Sequence, residues 1–248
     1  MENMVEGIEQ QTKRIQSNIN EIGQKLSNIN KPIFVELLGT PKSGKTTLVT
    51  YLKQLFEKNN IPYEIKQETA EYNPIENKRT EEYEMWMIME IMKNISEDIS
   101  QNSGKVIVYD RGMLDRIPWI DFHVQWGSIP LNDSILLKQW YSSEFLSKYR
   151  PLTYGLITSP ELSIERKGRP GRVVNKEYLE SYNGCLNNEY DSINKCSSKY
   201  TTLQTDEYQG KLEAFIMDMI EKVTTDISEI TRRFELDALD GKTQDEER

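Results

Sequence analysis

Two rhythms of apolar residues alternate along this chain. From Lys31 onward, short unbroken apolar runs are followed by longer stretches in which apolar positions recur every three or four residues. The first rhythm predicts buried strands and the second predicts helices packed by one face. Strands are expected at 33–38, 61–67, 106–109, 152–158 and 200–203. After the first strand, Leu48, Leu52 and Leu55 mark a helix. Further helices are expected at 79–100, 112–125 (irregular at Pro118), 132–148, 161–166, 176–195 and 211–233. Such alternation implies an α/β fold, a parallel five-stranded sheet with helices on both faces. Ligands then gather at the carboxyl ends of the strands.

The first thirty residues follow a different pattern. Val5, Ile8, Ile15, Ile19, Ile22, Leu26 and Ile29 occupy two positions of a heptad, with Thr12 in the one gap. This narrow stripe predicts an extra N-terminal helix that either lies on the α/β core or makes a homodimer or partner contact. Asn28, Asn30 and Pro32 end it. The organisation is therefore a heptad helix over 1–30, a core domain over 31–235 and an acidic tail over 236–248, which composition predicts to be disordered.

Composition narrows the classes of function. The net charge of −9 argues against broad contact with a nucleic-acid backbone, which needs a surplus of Lys and Arg. No apolar run has the length of a membrane span. Two cysteines and one histidine make neither a disulfide framework nor a zinc site, so a cytoplasmic protein is expected.

Residues 39–46, Gly-Thr-Pro-Lys-Ser-Gly-Lys-Thr, complete the pattern G-x-x-x-x-G-K-[ST] between the first strand and the next helix. Backbone N–H groups of such a loop cradle a polyphosphate, and the helix N-terminus adds positive potential. Gly39, Thr40, Pro41, Lys42, Ser43, Gly44, Lys45, Thr46 and Thr47 form the expected nucleotide-binding set. Lys45 is expected at the outer phosphates and the Thr46 hydroxyl on Mg²⁺. Lys42 is a loop position of unconstrained identity.

The other strand ends also carry polar groups. Asp110 follows the third strand and is placed to orient Mg²⁺, with Arg111 beside it to grip phosphate; a salt bridge closing the strand end is the plainer use of the pair. Glu68 ends the second strand, where a carboxylate can hold an acceptor hydroxyl and take its proton, or can join the solvated acids that follow it. Arg166, Arg169 and Arg172, spaced by Gly168, Pro170 and Gly171, suit a lid over a transferring phosphoryl group. Tyr72 and Trp86 could stack on a base, as could Tyr83, Trp119, Phe122 and Trp126, although each also suits the core. Asp115 and Arg116 could meet a base edge or pair with one another. His123 reads as a packed or exposed helix residue.

These motifs in this order resemble the deoxynucleoside kinase and thymidylate kinase group of P-loop kinases. The resemblance runs from about Ile33 to about Tyr190, through 39–46, Gln67-Glu68, Asp110-Arg111-Gly112, Asp115-Arg116 and Ile157 to Arg172, then Tyr178-Leu179-Glu180 and Glu189. It implies phosphate transfer from ATP, with Mg²⁺, to a nucleoside 5′-hydroxyl or a nucleoside monophosphate. It also implies Glu68 as the base for a nucleoside acceptor. Thr69 stands where the nucleoside kinases have proline, and 112–115 is one residue shorter than their spacing. Asp-Arg at 110–111 leans to the thymidylate branch, and the lid with its following helix leans to the nucleoside branch. The alternatives are a kinase for another small molecule or a nucleic-acid 5′ end on the same scaffold, and a nucleotide-dependent switch acting through the N-terminal helix.

Overall fold

Five runs of β-prone residues pair in parallel and set the frame. The structure, a computed structural model, describes residues 2–78, 80–141, 143–166, 175–208 and 211–246. The strands are β1 (Ile33–Gly39), β2 (Tyr63–Lys66), β3 (Val106–Asp110), β4 (Leu152–Ile157) and β5 (Lys199–Gln204). Their order across the sheet is β2-β3-β1-β4-β5, and every pairing is parallel. The chain therefore leaves β1 toward one edge and returns on its other side at β4. The crevice above β1 is the place where the direction of winding reverses, the usual ligand position in such sheets.

Each face of the sheet carries its own core because successive strand residues point to opposite sides. Ile33, Val35 and Leu37 face helix α2 (Lys45–Lys58) and the closing helix α9 (Leu212–Glu246). Phe34 and Leu38 face the other side. There they meet a layer built from α3 (Glu81–Ile99), α4 (Arg116–Gln125), α7 (Lys176–Asn188) and α8 (Tyr190–Cys196). All five strands lie at their expected places, to within a residue or two at the ends.

Four helices differ from expectation. α4 begins at Arg116 rather than 112, because Arg111 takes a left-handed conformation (φ 67°) and 112–115 form a turn whose Asp115 N–H is bound by Glu36. The stretch expected at 132–148 is α5 (Leu131–Tyr141) followed by a 3-10 turn (Leu146–Lys148), where the Ser143 hydroxyl accepts the Leu146 N–H. The helix expected at 176–195 breaks at Glu189 into α7 and α8, and Glu189 accepts from Lys138 Nζ at 2.6 Å. α9 extends to Glu246, well past the expected 233. A short α6 (Pro160–Glu165) precedes residues 167–174, which lie outside the described residues.

The N-terminal helix α1 (Glu2–Leu26) packs on α9 of the same chain. Ile15, Ile19, Ile22 and Leu26 are buried with Ile216, Met219, Ile220, Val223, Ile227 and Ile230. Polar ties flank the seam: Arg232 Nη2 donates to Glu21 at 2.7 Å, Lys25 pairs with Glu235 at 2.9 Å, and Asn18 donates to Thr225 at 2.9 Å. Of the two uses the heptad left open, the stripe from Ile15 to Leu26 serves the first, a helix on the core, while Ile8 is exposed. Ile22 is fully buried, so Ile22→Ala is expected to cost about 2–5 kcal/mol of stability. Urea unfolding measures it, and a loss below about 1 kcal/mol would show that the helix is not seated on α9. Among the described residues, no helix is long and apolar enough to cross a membrane.

Candidate active site

The loop after β1 owes its shape to residues in conformations that ordinary side chains avoid. Gly39 has φ 122°, and a Cβ there would sit 2.1 Å from the carbonyl oxygen of Leu156, so β4 can lie against it only if it is glycine. Lys42 (φ 62°) and Gly44 (φ 103°) complete the turn into α2. Ser163 on α6 donates to the Pro41 carbonyl at 2.8 Å, which fixes the outer side of the loop. Thr40 donates to Asn183 of α7 at 2.7 Å and accepts from the Thr158 N–H at 3.2 Å. Thr47, with the first turn of α2, completes the expected set.

Lys45 lies inside this loop. Its ammonium donates to the carbonyls of Gly39 (3.0 Å) and Thr40 (2.7 Å) and to the Ser43 hydroxyl (3.2 Å). Burial pushes its pKa down to about 7, Arg111 adds to that, and the carboxylates of Asp110, Asp115 and Glu68 oppose it. A buried ammonium with this little compensation is a strong attractor for anionic oxygens.

Across the crevice, the Thr46 hydroxyl donates to Asp110 Oδ2 at 2.8 Å. Burial raises the pKa of Asp110, against the pull of Lys45 and Arg111. A hydroxyl and a buried carboxylate whose charged form lacks compensation are a hard-oxygen pair that suits Mg²⁺. Among the described residues no cluster of three His, Cys, Asp or Glu could hold a metal. A cation here would therefore draw its remaining ligands from water and phosphate, as Mg²⁺ commonly does.

Arg111 and Asp115 form the inner wall. Arg111 Nε lies 3.3 Å from Glu68 Oε1, and Nη1 donates to both oxygens of Asp115 at 3.1 Å. The tip of β2 is thereby linked to the tip of β3, and Glu68 and Arg111 do meet. Asp115 also accepts from Arg116 Nη2 (2.9 Å), Trp119 Nε1 (3.0 Å), the Tyr182 hydroxyl (3.1 Å) and the Gly39 N–H (3.3 Å). Burial alone would raise its pKa, but Arg111, Arg116 and Lys45 outweigh that and hold it at about 2. Of the two uses open to Asp115 and Arg116, the structure shows mutual pairing, with Arg116 also against Glu84 at 3.4 Å.

Other expected residues lie as follows. Tyr72 and Trp86 meet edge to face, with ring centroids 5.8 Å apart. Tyr83, Trp119 and Phe122 are buried core residues, and Trp119 packs tilted against Tyr182 of α7, ring centroids 4.3 Å apart. His123 is packed inside, with Nε2 3.0 Å from Glu84. Arg166 Nη1 donates to the Lys42 carbonyl at 3.0 Å, which brings the first of the three spaced arginines onto the loop. Arg169 and Arg172 lie outside the described residues.

Three residues escaped the sequence reading. Tyr182 and Asn183, adjacent on α7, reach Asp115 and Thr40, and nothing in the local pattern marked them. Glu36 is fully buried in the middle of β1; its signal was a lone acid inside an apolar run.

No protein-family model matches the chain, and no curated protein sequence does. Solved structures do. A deoxyadenosine kinase from M. mycoides with bound dCTP superposes with a TM-score of 0.59 at 18% identity, covering 78% of this chain and 100% of that one. The same kinase with products dCMP and a flexible dCDP gives 0.60 at 17% identity over the same shares. With dATP it gives 0.57 at 17%, over 75% and 98%. The fold is that of a P-loop nucleoside kinase. In this fold the loop 39–46, the Asp110-Arg111 pair and Glu68 stand at the tips of three adjacent strands, β1, β3 and β2.

Proposed function

We propose that the protein is an ATP- and Mg²⁺-dependent phosphotransferase whose acceptor is a nucleoside or nucleoside monophosphate. The observation that carries this reading is the convergence of the Thr46–Asp110 pair, the buried Lys45 ammonium and the Glu68–Arg111 bridge on one end of the sheet. A switch needs only the first two. The third offers an acceptor-side carboxylate linked to a phosphate-gripping guanidinium, as group transfer requires. Burial of Ile15, Ile19, Ile22 and Leu26 in the chain's own core weighs against a switch that acts through this face of the helix.

In this reading the loop amides and Lys45 bind the β- and γ-phosphates of ATP. Mg²⁺, held by Thr46 and oriented by Asp110, would neutralise charge on the phosphate oxygens. Glu68 accepts a hydrogen bond from the acceptor hydroxyl, aims its oxygen at the γ-phosphorus and takes the released proton, while ADP leaves. Arg111 lies where charge builds on the transferring group, and Arg166, with Arg169 and Arg172 placed there by sequence alone, would close on it from the far side. Most of the acceleration comes from positioning and charge stabilisation. Asp115 and Arg116 act behind this surface as its support.

A panel of deoxynucleosides, nucleoside monophosphates and 5′-hydroxyl oligonucleotides, incubated with γ-labelled ATP with and without Mg²⁺, tests the reading. Label is expected on a nucleoside or monophosphate, and only with Mg²⁺. Label on oligonucleotides alone would move the acceptor to a nucleic-acid end. Label released solely as inorganic phosphate would favour a nucleotide-dependent switch.

A further inference from the structure

We propose that Glu36 is a positioning residue for this reaction: from the middle of β1 its carboxylate clamps the turn 111–115 and so sets Arg111 and Asp115. The inference rests on the phosphotransferase reading and assigns a role within that site.

β1 is the central strand, and the neighbours of Glu36 on its own face are Phe34 and Leu38, both apolar. A leucine would fill this place at no electrostatic cost, whereas a carboxylate with no exposed surface carries a desolvation penalty. The penalty is visible in its pKa, which burial pushes up to about 7, with Asp115 adding to it and its hydrogen bonds opposing it.

Both oxygens are used. Oε1 accepts the Asp115 N–H at 2.8 Å, and Oε2 accepts the Tyr149 hydroxyl at 2.8 Å. The turn comes down so closely that a Cβ on Gly112 would lie 2.7 Å from the carboxyl carbon and from Oε2, and 2.9 Å from the Tyr149 hydroxyl. Glycine at 112 and glutamate at 36 are thus two halves of one contact.

What the clamp holds is costly to hold otherwise. Arg111 is a non-glycine residue at φ 67°, a conformation that persists only where its surroundings fix it. One side is fixed by its own N–H, which donates to the Leu37 carbonyl at 2.9 Å. The other side is fixed by Glu36 at Asp115. From there the Asp115 carboxylate aligns the Arg111 guanidinium, and the guanidinium aligns Glu68. Glu36 touches no reacting atom and acts through this turn.

The test uses the full chain with Glu36→Gln, Glu36→Leu and Gly112→Ala, each checked by circular dichroism and thermal melting. The acceptor is the one found with the panel. Glutamine keeps the clamp, because its amide oxygen accepts from Asp115 and its amide nitrogen donates to the Tyr149 oxygen. Its kcat is expected within about threefold of wild type. Glu36→Leu is expected to lose on the order of a hundredfold in kcat, with KM for ATP changed by less than about threefold. Gly112→Ala, which pushes on the same carboxylate, is expected to reproduce that split.

Amide exchange at Asp115 gives a reading that needs no turnover, with protection expected in wild type and Glu36→Gln and lost in Glu36→Leu. A folded Glu36→Leu enzyme with normal kcat overturns the inference, as does a Glu36→Gln enzyme as slow as Glu36→Leu. Should Glu36→Leu fail to fold, a normal kcat in Gly112→Ala overturns it. A wild-type chain that transfers phosphate to no acceptor overturns the phosphotransferase reading instead, and the clamp then stands or falls on amide exchange.

Discussion

Lys45→Ala is expected to lower phosphate transfer on the order of a thousandfold while leaving the fold intact. The two halves of this expectation have separate causes. The ammonium makes three hydrogen bonds within the loop, so a phosphoryl group arriving there draws on it for charge stabilisation. The fold does not depend on it in the same way. Its pKa is pushed down to about 7 from the usual lysine value of 10.5, first by burial. A cation whose folded pKa is depressed costs stability wherever it stays charged, and that cost disappears as pH rises past the folded and then the unfolded pKa. Removing it relieves that burial cost while freeing the oxygens it bonds, and the melting temperature of Lys45→Ala is expected to stay near that of wild type at pH 7. Labelled-ATP turnover and calorimetry on the same preparation check both halves. Normal turnover in the variant would refute the phosphate-loop assignment, and a collapsed melt with lost turnover would leave the loss without a catalytic meaning.

Asp115→Ala is expected to do the reverse, with the fold failing first. Asp115 is fully buried and accepts from two arginines, an indole, a phenol and a backbone N–H. Its removal leaves Arg111 without its bidentate partner and Arg116 without one of two acids, both in the interior. Breaking a buried ion pair from one side costs about 3–5 kcal/mol, because the remaining charge is stranded. The group also has a pH signature. Its pKa is lowered from 3.8 to about 2, since the neighbouring positive charges outweigh burial. A depressed carboxyl contributes stability that is present above the unfolded pKa and lost as pH falls through the folded one. About 2 kcal/mol of wild-type stability should therefore disappear between pH 4 and pH 2. Urea unfolding of wild type and Asp115→Asn at pH 7 and at pH 3 measures it, with the two expected to converge on acidification. Parallel pH dependence in both would show that another group carries the acid sensitivity.

These predictions divide along the line between what a local pattern encodes and what it does not. The loop 39–46 was readable because its chemistry needs consecutive residues and its neighbours had to be a strand and a helix. β1, β3 and β4 were readable because largely apolar runs leave few alternatives to a buried parallel sheet. Glu68 and Asp110-Arg111 were readable for a related reason: strand ends in such a sheet share one rim. The helix ends were less legible. α4 starts at Arg116 because the Asp115 N–H is bound by a residue 79 positions earlier, and no window around 112–125 contains that fact.

The sequence by itself determined the sheet, the phosphate loop and the set of charged residues on its rim, because each follows from short-range spacing and the two-sided burial of strands. Only the tertiary structure decided what those charges do to one another. It turned Asp115 and Arg116 inward as a mutual brace, seated the Ile15–Leu26 stripe of α1 on α9, and set Glu36 under the turn that carries Arg111. The physical reason is the same in each case. Pair energies depend on distance and burial, and both are set by the packing of elements far apart in the chain.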